Sequence, residues 1–158
     1  MDGSRLRIAV ITARWNEFIC SALEAGALEA LTASGVEPSN IETYKVPGAF
    51  ELPLGARAAA DTGRFDAIVC LGAVIRGETP HFDFIAGEAA RGIMDVGLDS
   101  GIPVTFGVIT ADDEEQARER AGGSKGNKGV EAAEAAVEMA LFRRRIAGSV
   151  DESVGFRV

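Results

Sequence analysis

Four strand-like runs alternate with helical stripes along this chain, and that alternation leaves few folds open to it. The runs cover residues 6–13, 41–46, 66–73 and 103–109. After the first, apolar or small residues recur from Ile19 at Ala22, Leu23, Gly26, Ala27, Ala30 and Leu31, the buried stripe of a helix that Ser34-Gly35 stops. After the second, Pro47-Gly48 breaks the strand and residues 49–60 read as helix, with Pro53 tolerated in the first turn. Phe82, Ile85, Ala86, Ala89, Ile93 and Val96 mark a third helix. A short fourth helix opens with Asp112 as its N-cap and Glu115 three residues on, and ends at Gly122-Gly123. Val130, Ala133, Val137, Ala140 and Leu141 mark the last.

Strands this uniformly apolar suit a parallel sheet covered on both faces. The order βαβαβαβα predicts an α/β chain folded as a three-layer α/β/α sandwich around a four-stranded parallel sheet. A strand order of 2-1-3-4 is expected. That order puts a topological switch point between the first and third strands, so that Arg14-Trp15-Asn16 and residues 76–81 face one crevice. Residues 1–158 are expected to form a single domain, with a core over about 6–146 and a loose polar tail over 149–158.

Composition narrows the function. The 158 residues are 47% apolar, a globular balance, and carry a net charge of −8, which argues against general nucleic-acid or anionic-membrane binding. Cys20 and Cys70, each among apolar neighbours, read as inert core thiols in a reducing compartment. Met1-Asp2-Gly3-Ser4-Arg5 lacks the apolar stretch of a signal peptide, and no apolar run approaches membrane-spanning length, so a soluble cytoplasmic protein is expected. One histidine and two distant cysteines cannot make a zinc site, and GxGxxG, Walker A and Gly-x-Ser-x-Gly motifs are missing.

The chemistry concentrates in Gly72-Ala73-Val74-Ile75-Arg76-Gly77-Glu78-Thr79-Pro80-His81-Phe82-Asp83, a polar loop directly after a buried strand. It holds the only histidine, His81, at or near a helix start, where an imidazole suits general acid/base work near neutral pH. Thr79 and the backbone amides beside it can hold an oxyanion. Trp15, the only tryptophan, is either a platform for a planar ligand or a cap on the core. Gly48-Ala49-Phe50-Glu51 is either an ordinary helix start or a cradle for a heterocycle's carbonyls, with Phe50 stacking. Arg120 either complements a helix dipole or clamps a phosphate. The stretch from Gly122 to Gly129 looks like a phosphate loop, although by itself it is a flexible basic turn.

Taken in order, Arg14-Trp15-Asn16, Val46-Pro47-Gly48-Ala49-Phe50-Glu51, the segment 71–83 and Arg120-Ala121-Gly122 with Gly126-Asn127-Lys128-Gly129 resemble the lumazine synthase family from about Arg7 to Arg144. The resemblance implies a flavodoxin-like fold and the penultimate step of riboflavin synthesis. In that step 5-amino-6-ribitylaminouracil condenses with 3,4-dihydroxy-2-butanone 4-phosphate to 6,7-dimethyl-8-ribityllumazine, phosphate and water, with no metal or organic cofactor. It further implies that Trp15 stacks on the pyrimidine and that Ala49, Phe50 and Glu51 hold the ring and ribityl chain. Ala73, Val74 and Ile75 would line the pyrimidine side, Glu78 and Thr79 would meet the butanone phosphate, and His81 would donate a proton. Phe106, Arg120 and Lys128 match residues supplied by a neighbouring subunit, Arg120 on the phosphate, and Glu131 matches an acidic position nearby. Pentamers follow from the resemblance, and the turn from Gly122 to Lys128, which carries no insertion, leans toward a 60-subunit shell. Ser124 stands where many members have lysine, with Lys125 one residue later. The alternative is a non-catalytic homologue that stores a flavin-like ligand or only builds a shell. A flavodoxin-like FMN carrier would want a phosphate loop after the first strand, for which Arg14-Trp15-Asn16-Glu17 is a poor one.

Overall fold

The protein is seen here in a computed structural model that describes the backbone of residues 1–154 and the side chains of residues 1–148. Strands β1 (Ile8–Ala13), β2 (Ile41–Val46), β3 (Ala67–Ile75) and β4 (Val104–Ala111) form one parallel sheet, as the alternation predicts, in the expected order β2-β1-β3-β4. The two central strands are the most uniformly apolar in sequence. Every residue of β1 is buried, as is every residue of β3 except its last, Ile75. The edge strands β2 and β4 carry the exposed positions.

Helices α1 (Glu17–Ala33) and α5 (Lys128–Val154) cover one face, packing on Ile8, Val10, Val69 and Leu71. Helices α2 (Leu52–Asp61) and α3 (His81–Ser100) cover the other, on Ala9, Ile11, Ile68 and Cys70. The split follows from handedness. The crossover from β1 runs to one side of the sheet and those from β2 and β3 to the other, so right-handed connections must lie on opposite faces. This reversal puts the switch point between β1 and β3.

Small residues let the layers approach. At Gly129, in the first turn of α5, an added Cβ would overlap the Leu23 carbonyl of α1. Gly129→Ala is therefore expected to destabilise the protein by about 1–3 kcal/mol through overpacking. An open helical site would instead gain up to about 1 kcal/mol from alanine. Urea unfolding of the variant reads the sign, and a higher midpoint would overturn the close approach.

Several local expectations are corrected. β3 runs to Ile75, two residues beyond the predicted end, because β4 keeps pairing with it through Val74↔Thr110 and Ile75↔Ala111. Residues 49–51 form a 3-10 turn rather than the start of α2. The N-cap of the short helix α4 (Glu114–Glu119) is Asp113, whose Oδ1 accepts from the Gln116 amide at 2.8 Å, while the Asp112 carboxylate is taken by Arg76 at 3.0 Å. Gln116, not Glu115, reaches back over the cap, its Oε1 accepting from the amide of the preceding Asp112 at 2.9 Å. Past α4, β5 (Ala121–Gly123) and β6 (Gly126–Asn127) form a small antiparallel hairpin, its turn closed by Gly126 at φ 81°. The backbone of α5 stays helical to Val154, so the helix takes in part of the stretch 149–158 expected as a loose tail. Residues 155–158 lie outside the described residues.

Candidate active site

Because all four strands are parallel, the loops that leave β1, β2 and β3 meet at one edge of the sheet. The exits of β1 and β2 are stitched together by backbone. The Arg14 amide donates to the Val46 carbonyl at 2.8 Å, and the Trp15 amide to the Pro47 carbonyl at 3.0 Å. The indole of Trp15 then lies over Gly48, so closely that any Cβ at position 48 would overlap the six-membered ring. The side chain is not a cap on the core, since Trp15 remains 64% exposed. Gly48→Ala is expected to push the indole off its seat, raising acrylamide quenching and red-shifting the emission of this sole tryptophan. An unchanged emission spectrum would show that the ring does not depend on the glycine.

The Gly48 amide donates to Glu51 Oε2 at 3.0 Å, which fixes that carboxylate at the turn and leaves its second oxygen available. Phe50 projects from the same turn, 56% exposed, while Ala49 is buried beneath it. This turn packs beside α3, whose first residue is His81. Ala73 and Val74 are buried and Ile75 half-buried at the end of β3.

The loop leaving β3 is held by Arg76. Its amide donates to the Ala111 carbonyl at 2.8 Å and its Nε to Asp112 Oδ1 at 3.0 Å. Its guanidinium lies 4.3 Å from the Phe82 ring centroid and 3.7 Å from Asp83. The arginine is thus occupied in joining the ends of β3 and β4 to the first turn of α3. Glu78, Thr79 and His81 stand exposed on the loop so fixed, and the His81 amide reaches Thr79 Oγ1 at 3.5 Å.

The structure therefore brings Trp15, Ala49, Phe50, Glu51, Ala73, Val74, Ile75, Glu78, Thr79 and His81 to one edge of the sheet. The other candidates lie on other elements and have partners of their own. Phe106 lies opposite Cys70 on β4, whereas Ile75 lies opposite Ala111. That separation is about 16 Å of strand. Arg120 donates from its guanidinium to the Gln116 carbonyl at 3.0 Å and neighbours Glu119 at 3.7 Å, as a cation at a helix end does. Lys128 pairs with Glu131 at 2.6 Å. Both flank the hairpin, which is tied to α1 by Asn127 Nδ2 donating to the Ala22 carbonyl at 3.1 Å. Among the described residues, none of these three side chains hydrogen-bonds to the crevice.

Sequence reasoning passed over Asn16, Gly48 and Arg76 as individuals. Asparagine at a strand-to-helix turn is a known signal for left-handed backbone. The roles of Gly48 and Arg76 depend on partners distant in sequence. Burial pushes the Cys20 thiol up to about 11 and the Cys70 thiol up to about 12, so neither is a thiolate near neutral pH.

A doubly wound parallel sheet with an exposed indole, a carboxylate and an imidazole around its switch point defines an α/β protein of flavodoxin-like arrangement whose candidate site lies at the strand ends. The family model described as 6,7-dimethyl-8-ribityllumazine synthase matches residues 5–144. A protein of Syntrophus aciditrophicus (strain SB) named 6,7-dimethyl-8-ribityllumazine synthase is 52% identical over 141 residues, covering 89% of this chain and 92% of that relative. The chain belongs to the 6,7-dimethyl-8-ribityllumazine synthase family.

Proposed function

We propose that this protein condenses 5-amino-6-(D-ribitylamino)uracil with 3,4-dihydroxy-2-butanone 4-phosphate, giving 6,7-dimethyl-8-ribityllumazine, phosphate and water. The observation that carries the reading is the convergence of Trp15, the 48–51 turn and the 78–81 loop on one edge of the sheet in a chain of this family. In this reading the uracil stacks on the exposed indole and meets the edge formed by Ala73, Val74 and Ile75. The ribityl hydroxyls reach Ala49, Phe50 and the second oxygen of Glu51. Glu78 and Thr79 receive the butanone phosphate.

The chemistry asks for alignment and proton transfer rather than a protein nucleophile. The 5-amino group adds to the ketone and water leaves. Phosphate is then eliminated, and the ribitylamino nitrogen closes the second ring with loss of another water. Each step moves a proton near the nitrogen or oxygen that changes bonding. In this reading His81, exposed at the start of α3, moves these protons. Holding both reactants in register can contribute roughly 7–11 kcal/mol in the best cases.

The site is completed in a homo-oligomer, a pentamer that can build a 60-subunit shell, in which a neighbouring copy brings Phe106, Arg120 and Lys128. Surface chemistry supports association. Met94, Leu98, Phe106, Met139, Phe142 and Ile146 are large, apolar and exposed on α3, β4 and α5, and a groove beside the free edge of β4 is lined by five of them. The protein acts in the cytoplasm on small molecules, with no nucleic-acid or membrane partner; no helix among the described residues is long and apolar enough to cross a membrane. Mixing the protein with both substrates should produce the absorbance and fluorescence of the lumazine, and neither substrate alone should do so. Absence of product from assembled protein would sink the reading and favour a ligand-storing or shell-forming homologue.

A further inference from the structure

We infer that Asn16 is a positioning residue whose side-chain amide, by completing the sheet where β1 ends, holds the Trp15 platform in register with the end of β3. Among the described residues Asn16 is the one non-glycine with positive φ, at 59° with ψ 50°. It occupies the N-cap position of α1, yet its side chain makes no capping hydrogen bond there. Instead Nδ2 donates to the Ala73 carbonyl of β3 at 3.1 Å, across 57 residues of chain.

The reason lies in the strand ladder. β1 pairs with β3 only as far as Thr12↔Leu71, because the chain then turns away into α1. In a parallel strand, the backbone groups of alternate residues point to the same neighbour. Ile68 and Arg76 donate toward β4, to Pro103 and Ala111, so Ala73 faces the side that β1 has left. The Asn16 amide stands where the next ladder donor would have been. The left-handed turn is what aims it there.

The neighbouring contacts make this one brace. Cys20 Sγ donates to the Trp15 carbonyl at 3.2 Å. The Trp15 amide is held by Pro47, and its ring sits over Gly48. Without the Asn16 amide, residues 15–16 lose their direct bond to β3, and the indole loses its fixed position relative to residues 73–75. The inference rests on the proposed function for its kinetic consequence only. The effect on Trp15 stands apart from any activity.

Asn16→Gly keeps the left-handed backbone and removes the amide. Asn16→Asp keeps a residue tolerant of that backbone and replaces the donor with an acceptor. In assembled protein, both are expected to increase acrylamide quenching of Trp15. Both should also raise KM for 5-amino-6-ribitylaminouracil by about tenfold, the effect of one lost hydrogen bond. KM for butanone phosphate should stay within about twofold, since the brace ends on the ring side of the site. Unchanged quenching and unchanged KM in Asn16→Gly would overturn the proposal. So would wild-type behaviour of Asn16→Asp, which cannot donate. If the wild-type protein makes no lumazine, the functional reading fails by itself, and Trp15 quenching in the two variants still decides the positioning role.

Discussion

His81→Ala should lower kcat by about 10²- to 10⁴-fold, the usual contribution of one positioned acid/base group. KM for either substrate should change little, because the imidazole stands exposed at the start of α3 rather than in a contact that builds the platform. Activity should not vanish. Trp15, Glu51 and Arg76 keep their places in the variant, and alignment of the two substrates continues to supply part of the rate. Added imidazole should restore part of the loss if proton transfer is what the side chain provides. Steady-state kinetics on assembled protein tests this directly. Complete loss of turnover, or a loss confined to KM, would contradict the acid/base role and make His81 a binding group.

The second large effect concerns the residues that the fold holds apart. Arg120→Ala should raise KM for butanone phosphate by about tenfold to a hundredfold, as expected for a charge-assisted contact to phosphate. The uracil side should be spared. A stronger test follows from geometry, since His81 and Arg120 lie on different flanks of one chain. Arg120 caps α4 through the Gln116 carbonyl, while His81 opens α3 on the other face. If each site is built from two chains, each variant alone should be poor at low butanone phosphate. Oligomers co-refolded from equal parts of the two variants should regain about a quarter of the wild-type sites, where an intact His81 meets an intact Arg120. No gain over the average of the separate variants would place both residues in one chain's site and remove the shared-site reading.

Much of the architecture could be read before any coordinates, because it rests on local and additive signals. The fully apolar runs of β1 and β3 announced two-sided burial. The stripes from Ile19 and from Val130 announced which helix faces would bury, and the expected order 2-1-3-4 is the one the sheet adopts, although periodicity alone does not select it. The misreadings share one cause. Asp112 has the right chemistry for an N-cap, but Arg76, 36 residues earlier, claims its carboxylate, and the cap passes to Asp113. The glycines at 122 and 123 look like a helix stop, yet they form one arm of a hairpin whose other arm carries Asn127, bonded to Ala22 across 105 residues.

The same division runs through the site. Residue types and their order along the chain determined the sheet, its switch point and the loops that would face it, because periodicity and turn chemistry are properties of neighbours in sequence. Which residues do what within those loops was decided by closure of the fold. Only there does Gly48 become a seat for an indole, Arg76 a clamp between two strand ends and Asn16 a substitute for a missing ladder bond. Each of these depends on a partner brought within a few ångströms by packing. A hydrogen bond or ring contact has directional demands that no local pattern encodes. For the same reason, the register position of Phe106 and the local partners of Arg120 and Lys128 could be read only from the folded chain.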